Sequence, residues 1–161
     1  MKVNLQIELY SIVSSLFAGF VSTAVMTILE IPFWKRWGLT GILEWHENQI
    51  LICKFFRLAS NKLHFWGIFL LHFVNGSLGG VGLLLAFILI PTLKEIPSLS
   101  LGLLYGFFLW ILTLVPIHKP ITGINPCNHP LGKGPAVLSL VCHALYGITL
   151  VTLFTFVITI E

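Results

Sequence analysis

Two stretches of the chain share a pattern. "LLHFVNGSLGG" (residues 70–80) and "LVCHALYGITL" (residues 140–150) each set a histidine in an apolar run with a glycine four residues later. An imidazole in such a place can bind or pass a proton, ligate a metal or haem, or hydrogen-bond a neighbouring helix. Left unsatisfied in an apolar medium it is expensive, so an ionisable group there raises a functional question by default. Glu30, Asn75 and Tyr146 stand in similar surroundings. With His72 and His143 they make a candidate intramembrane polar pocket: Glu30, His72, Asn75, His143 and Tyr146.

The elements that would position these groups follow from composition. The 161-residue chain is 57% apolar and 9% charged, with a mean hydropathy of +0.96. Soluble domains carry roughly 25% charged residues, and a chain this small could not bury so much apolar surface from water. Four stretches, 10–34, 64–90, 99–117 and 136–160, approach or exceed the roughly 20 apolar residues needed to cross a bilayer. The expectation is all-α: an integral membrane four-helix bundle forming a single transmembrane domain over 1–161. Lys2 and Ser22-Thr23-Ala24 offer a signal-peptide context, but the apolar run continues to Trp34, so the stretch reads as an uncleaved span. Cys53, Cys127 and Cys142 show no paired spacing, and Cys142 reads as a small packing residue.

Each span carries one stripe of small or polar residues at helical period. Span one has Gly19, Ser22, Thr23, Met26, Thr27 and Glu30. Span two has His72, Asn75, Gly76 and Gly79, with Gly80 four residues beyond Gly76. Gly102 and Gly106 mark span three, and Ser139, Cys142, His143, Tyr146 and Gly147 mark span four. In lipid, helices associate where small residues admit a neighbouring backbone and polar groups can bond. The stripes should therefore face one another, with Gly19, Gly76, Gly80, Gly102, Gly106 and Gly147 as packing positions and the bulky apolar faces turned to lipid. Spans one and two, and spans three and four, then read as two parallel two-helix repeats. Eight residues inside their spans, His72 and His143 lie at a matched depth of roughly 12 Å. His118, out of phase with Gly102 and Gly106 and two residues past Pro116, reads as interfacial.

Lys35, Arg36, Lys54, Arg57, Lys62, Lys119 and Lys133 fall on one side of the spans, against Lys2 and Lys94 on the other. The positive-inside rule puts the basic loops in the cytoplasm and both termini outside a multi-pass cell-membrane protein. The net charge of +3 suits anionic headgroups and gives no reason to expect nucleic acid. Residues 41–58 read as a short amphipathic helix in the interface. Within it "EWHE" (44–47) reads as a solvated face, since adjacent helical residues point apart. In "HKPITGINPCNHPLGKGP", His118, Cys127 and His129 match no strong metal pattern, and "GKG" lacks the spacing of a phosphate loop.

A "G…MT…E" first span, His-x3-Gly in spans two and four, and a Gly-rich third span resemble small four-span prokaryotic membrane proteins of unknown function. That resemblance implies the fold and no activity. In size and composition the chain also resembles accessory subunits of larger membrane enzymes such as archaeal ammonia monooxygenase, with no residue on which to carry copper binding over.

Three functional readings follow. The first is a non-catalytic structural or accessory subunit, packed with itself or with other membrane subunits, whose histidines tie the bundle together; it calls for no catalytic residue, metal or cofactor. The second is a small-solute or proton transporter or channel component. The third is a redox protein with haem held between His72 and His143.

Overall fold

The helices turn their sparse polar side chains inward and many bulky apolar ones outward, around a core that also holds Met26, Trp45, Ile68 and Leu83. The computed structural model describes residues 2–158, and the side chains of all of these except 2–8, 115, 157 and 158. The ends of the expected domain, the last two residues of the fourth expected span and the side chain of Lys2 lie outside that description. The described chain is all-α. Its elements are α1 (Lys2–Trp37), α2 (Leu43–Phe56), α3 (Phe65–Leu89), α4 (Ser98–Thr113), α5 (Lys119–Thr122) and α6 (Gly134–Ile158), with a π-helical turn over Leu114–His118 that joins α4 to α5. Four helical segments are long and apolar enough to cross a membrane: Leu9–Trp37, Phe65–Leu89, Ser98–Thr122 and Gly134–Phe156.

The stripes turn inward as expected. Ser15, Ser22, Thr23, Thr27, Glu30, His72, Ser139 and His143 are buried, whereas Val13, Phe17, Ile28, Leu70, Leu78, Leu104 and Phe108 are exposed. The hydroxyls of α1 need no neighbour, because Ser22, Thr23 and Thr27 each donate to the carbonyl four residues back. That leaves their small bulk free to serve as packing surface.

The helices pair α1 with α3 and α4 with α6, and α1 also packs on α6. In both pairs the glycine of His-x3-Gly marks the close crossing. A Cβ on Gly19 would meet the Gly76 carbonyl oxygen, and one on Gly80 would meet the Ser15 carbonyl oxygen. In the second pair Gly147 meets the backbone of Gly102 and Gly106, and Gly106 meets the carbonyl of His143. The histidine one turn earlier is thereby held at the same height in each pair. Two tyrosines fasten one pair to the other. Tyr105 donates to the Gly79 carbonyl at 2.6 Å, and Tyr146 to that of Gly76 at 2.6 Å.

A helix forms where residues 41–58 suggested one, but "EWHE" is not a solvated face. Trp45 is 1% exposed and Glu47 8%. Trp45 packs edge-on against Phe69 at 5.0 Å and lies 6.2 Å from Trp34. Asn48 donates to the Ile68 carbonyl at 3.3 Å. Gln49 donates to the Lys62 carbonyl at 2.7 Å and accepts from the His64 N–H at 3.0 Å, where α3 begins. The left-handed Arg57 closes α2 as its C-cap (φ 54°). This helix therefore plugs the loop end of the bundle, with its acidic residues directed inward.

Candidate functional site

Three carboxylates meet three histidines at that plug. Glu30, near the end of α1, lies 3.4 Å from Nε2 of His72 on α3. Its Oε2 also accepts the indole N–H of Trp45 at 2.7 Å. The histidine contact is long for a hydrogen bond, and it leaves Glu30 Oε1 and His72 Nε2 buried with no hydrogen-bond partner. Glu44, on α2, accepts from the Ser139 hydroxyl and lies 3.5 Å from Nδ1 of His143 on α6. Glu47, one turn further along α2, is 2.7 Å from Nδ1 of His118.

The tautomer of His143 follows from its neighbours. Its Nδ1 is 2.9 Å from the Ser139 carbonyl, which only accepts, so Nδ1 carries the proton. In the neutral ring Nε2 then holds the lone pair, and the Thr113 hydroxyl stands 3.3 Å from it.

His118 faces inward, 0% exposed, although it is out of phase with the Gly102 and Gly106 stripe. The π turn is the reason. With i→i+5 bonding each residue turns through less than the 100° of an α-helix, so the phase counted from Gly106 lags by the time it reaches residue 118. Pro116, with no N–H to donate, sits within that turn.

These groups surround a cavity of about 130 Å³ whose lining includes Thr23, Glu44, Glu47, His72, Thr113 and His143. Of the residues expected to form a pocket, His72, His143, Tyr146 and Asn75 all line it. Tyr146 spends its hydroxyl on a backbone carbonyl rather than on an imidazole, and Asn75 is exposed at the rim. Glu30 sits behind His72 as its buried partner. Sequence reasoning missed Glu44, Glu47 and His118 as members of the site. The available signal was the pair of acids one turn apart in a loop whose other charges are all basic. Among the described residues no three His, Cys, Asp or Glu side chains converge closely enough to hold a metal ion, and Cys53, Cys127 and Cys142 are free thiols.

At the outer side of α2, His46 is half-buried with its Nδ1 unpartnered, and its ring centroid is 6.0 Å from that of His118. Burial, reinforced by His118 and His129, pushes its pKa from 6.5 down to about 4. Burial pushes Glu47 up, against the lowering effect of its bond to His118. Between pH 6.5 and 4 the unfolded chain binds a proton at His46 that the folded protein refuses, so this group lowers stability as pH falls through that window. Glu47 acts oppositely, since above 4.5 the folded protein keeps its proton longer than the unfolded chain does. The expected result is that His46→Gln improves thermal stability relative to the parent at pH 4.5 and not at pH 7.5. Melting curves in mild detergent at both pH values check it, and an equal effect at each pH would rule it out.

Fold and site together define a class: an all-α protein with the build of a multi-pass membrane protein, enclosing an acid–imidazole cavity at one end of its bundle. No family model, no curated protein and no solved structure matches the chain.

Proposed function

We propose that the protein is a proton-exchanging component of the cell membrane, taking up and releasing protons at the cavity between Glu30–His72 and Glu44–His143. One observation carries this reading: three glutamate–histidine pairs gathered at a single cavity. A bundle that needed only internal ties could use hydroxyls and carbonyls, as Tyr105 and Tyr146 do here. Buried acids are costly to desolvate and add little net stability, so Glu30 and Glu47, both buried, with half-buried Glu44 beside them, favour a role in chemistry. Acid–imidazole pairs inside a membrane protein are suited to proton relay, because either partner can hold the proton. The basic loops favour a cytoplasmic position for the α2 end, with both termini on the other side.

The test uses the purified protein in phosphatidylcholine–phosphatidylglycerol liposomes with an internal pH dye and a potassium diffusion potential. Wild type should acidify the lumen faster than protein-free vesicles. His72→Gln and His143→Gln should each slow that flux about tenfold or more. Wild-type flux no faster than that of bare lipid would end the reading.

A structural or accessory role, packed with itself or with other subunits, is the second reading. The two tyrosine ties and the Trp45 plug favour it. It expects the same substitutions to lower stability or complex yield while flux stays at background. A bis-histidine haem fits less well. His143 already has a neighbour at each ring nitrogen, and the cavity of about 130 Å³ is small for a porphyrin.

A further inference from the structure

Adjacent residues of α2 face two different cavities. Glu47 lines the bundle cavity just described. His46 lines a second one, of about 610 Å³, on the other side of the helix, together with Thr40, Gln49, Cys53, Lys54 and Ser60. Neighbours on a helix point apart, so α2 acts as the wall between the two spaces. One side chain reaches both faces of that wall. His118 touches Glu47 through Nδ1 at 2.7 Å, while its buried Nε2 has no partner. Its ring centroid is 6.0 Å from that of His46, whose Nδ1 is likewise buried and unpartnered. The α4–π turn–α5 segment is the device that places this imidazole there.

We infer that His118 is the proton shuttle through this wall, carrying protons between Glu47 in the bundle cavity and His46 in the outer pocket. The inference rests on the proton-exchange reading and adds its route. In the outward direction, protonated Glu47 donates its O–H proton to Nδ1 of neutral His118, leaving a carboxylate and an imidazolium. The imidazolium gives its Nε2 proton to Nδ1 of His46, directly or across one water, and becomes the neutral Nδ1–H tautomer. His46 then releases its Nε2 proton into the outer pocket, Glu47 takes a new proton from the bundle cavity, and a water molecule that removes the Nδ1 proton of each imidazole and returns one at Nε2 restores the starting tautomers. Each transfer moves one proton, and His118 carries a positive charge only between the first transfer and the second.

The surroundings suit such a relay. His118 faces Glu47 and His46 on α2 and His129 in the loop before α6, and Glu47 in turn faces Glu44 on α2 and His143 on α6. Burial raises the proton affinity of the acid at one end and lowers that of the imidazole at the other, to about 4. Burial thereby sets the acid above the imidazole in proton affinity, the reverse of their ordinary order, so a proton entering from the outer pocket runs downhill from His46 to Glu47.

The experiment is the liposome assay with His118→Ala and His46→Gln beside His72→Gln. Expected for His118→Ala is a flux about tenfold or more below wild type, restored in large part by millimolar imidazole, a small molecule able to take the vacated place. Rescue also shows that the variant is folded. Where His118→Ala fails to fold, the half-buried His46→Gln decides, with an expected drop of about threefold or more. Wild-type flux in folded His118→Ala, or in His46→Gln where that variant must decide, with flux lost in His72→Gln, overturns the route and leaves the proton-exchanging cavity standing. Wild-type protein indistinguishable from bare lipid removes the cavity reading and the route together.

Discussion

Gly106→Val is expected to separate α4 from α6 and to cost the protein about 3 kcal/mol of stability, at the upper end of the range for overpacking. A Cβ at residue 106 would collide with the carbonyl oxygen of His143 and crowd the Cα of Ala144. Both are backbone atoms, so no side chain can rotate aside, and relief requires the helices to move apart. Gly102 and Gly147 lie in the same crossing, each against the other's backbone, so separation at Gly106 also loosens them. The damage extends to the site, because moving α6 carries His143 away from Glu44 and Thr113. Gly79→Ala offers a graded comparison, since the added methyl meets the hydroxyl tip of Tyr146, which can give way. Leu103→Ala, at an outward position 45% exposed, should change stability by no more than about 0.5 kcal/mol. Reversible unfolding of the four proteins in mixed micelles measures the series. Wild-type stability for Gly106→Val would mean that this crossing is not where the pair is held.

Glu30→Ala should be about as damaging, through charge and hydrogen bonding instead of volume. Glu30 is 1% exposed and joins three helices, accepting from Trp45 of α2 and facing His72 of α3. Alanine leaves the buried indole N–H without its acceptor and removes the carboxylate that faces His72. Breaking a buried pair from one side costs about 3–5 kcal/mol. The plug then loses its main polar tie to α1. Glu30→Gln separates structure from chemistry. Its amide oxygen can still accept from Trp45, so the fold should survive with a loss of about 1 kcal/mol. An amide does not take up and release a proton in this pH range, so flux should fall to the level of bare lipid. Unfolding and liposome flux measured on both variants distinguish the two roles. Wild-type flux in Glu30→Gln would remove Glu30 from the proton site while leaving its structural role.

The repeat shows how far sequence could reach. His-x3-Gly recurs because each glycine lies at the close approach to the preceding span, Gly76 against the Thr23 side chain and Gly147 against the backbone of Gly102 and Gly106. The motif was legible, and so was the inward direction of both histidines. Their acids were not symmetric, however. His72 takes Glu30 from its own helix pair, whereas His143 takes Glu44 from a helix of the other half, 99 positions away in the chain. No local pattern announces such a pairing.

The chain by itself determined its solvent and its inner faces. Four apolar runs too long and too uncharged for water had to be spans, and at 3.6 residues per turn the sparse polar residues of each fell on one side. Tertiary structure alone decided what covers α2. Periodicity gives a helix its faces but not the neighbour of each face, and the usual assumption that acids turn to water fails where a polar bundle mouth stands beside them. It also decided the place of His118, because a π turn resets the angular count on which any reading by period depends.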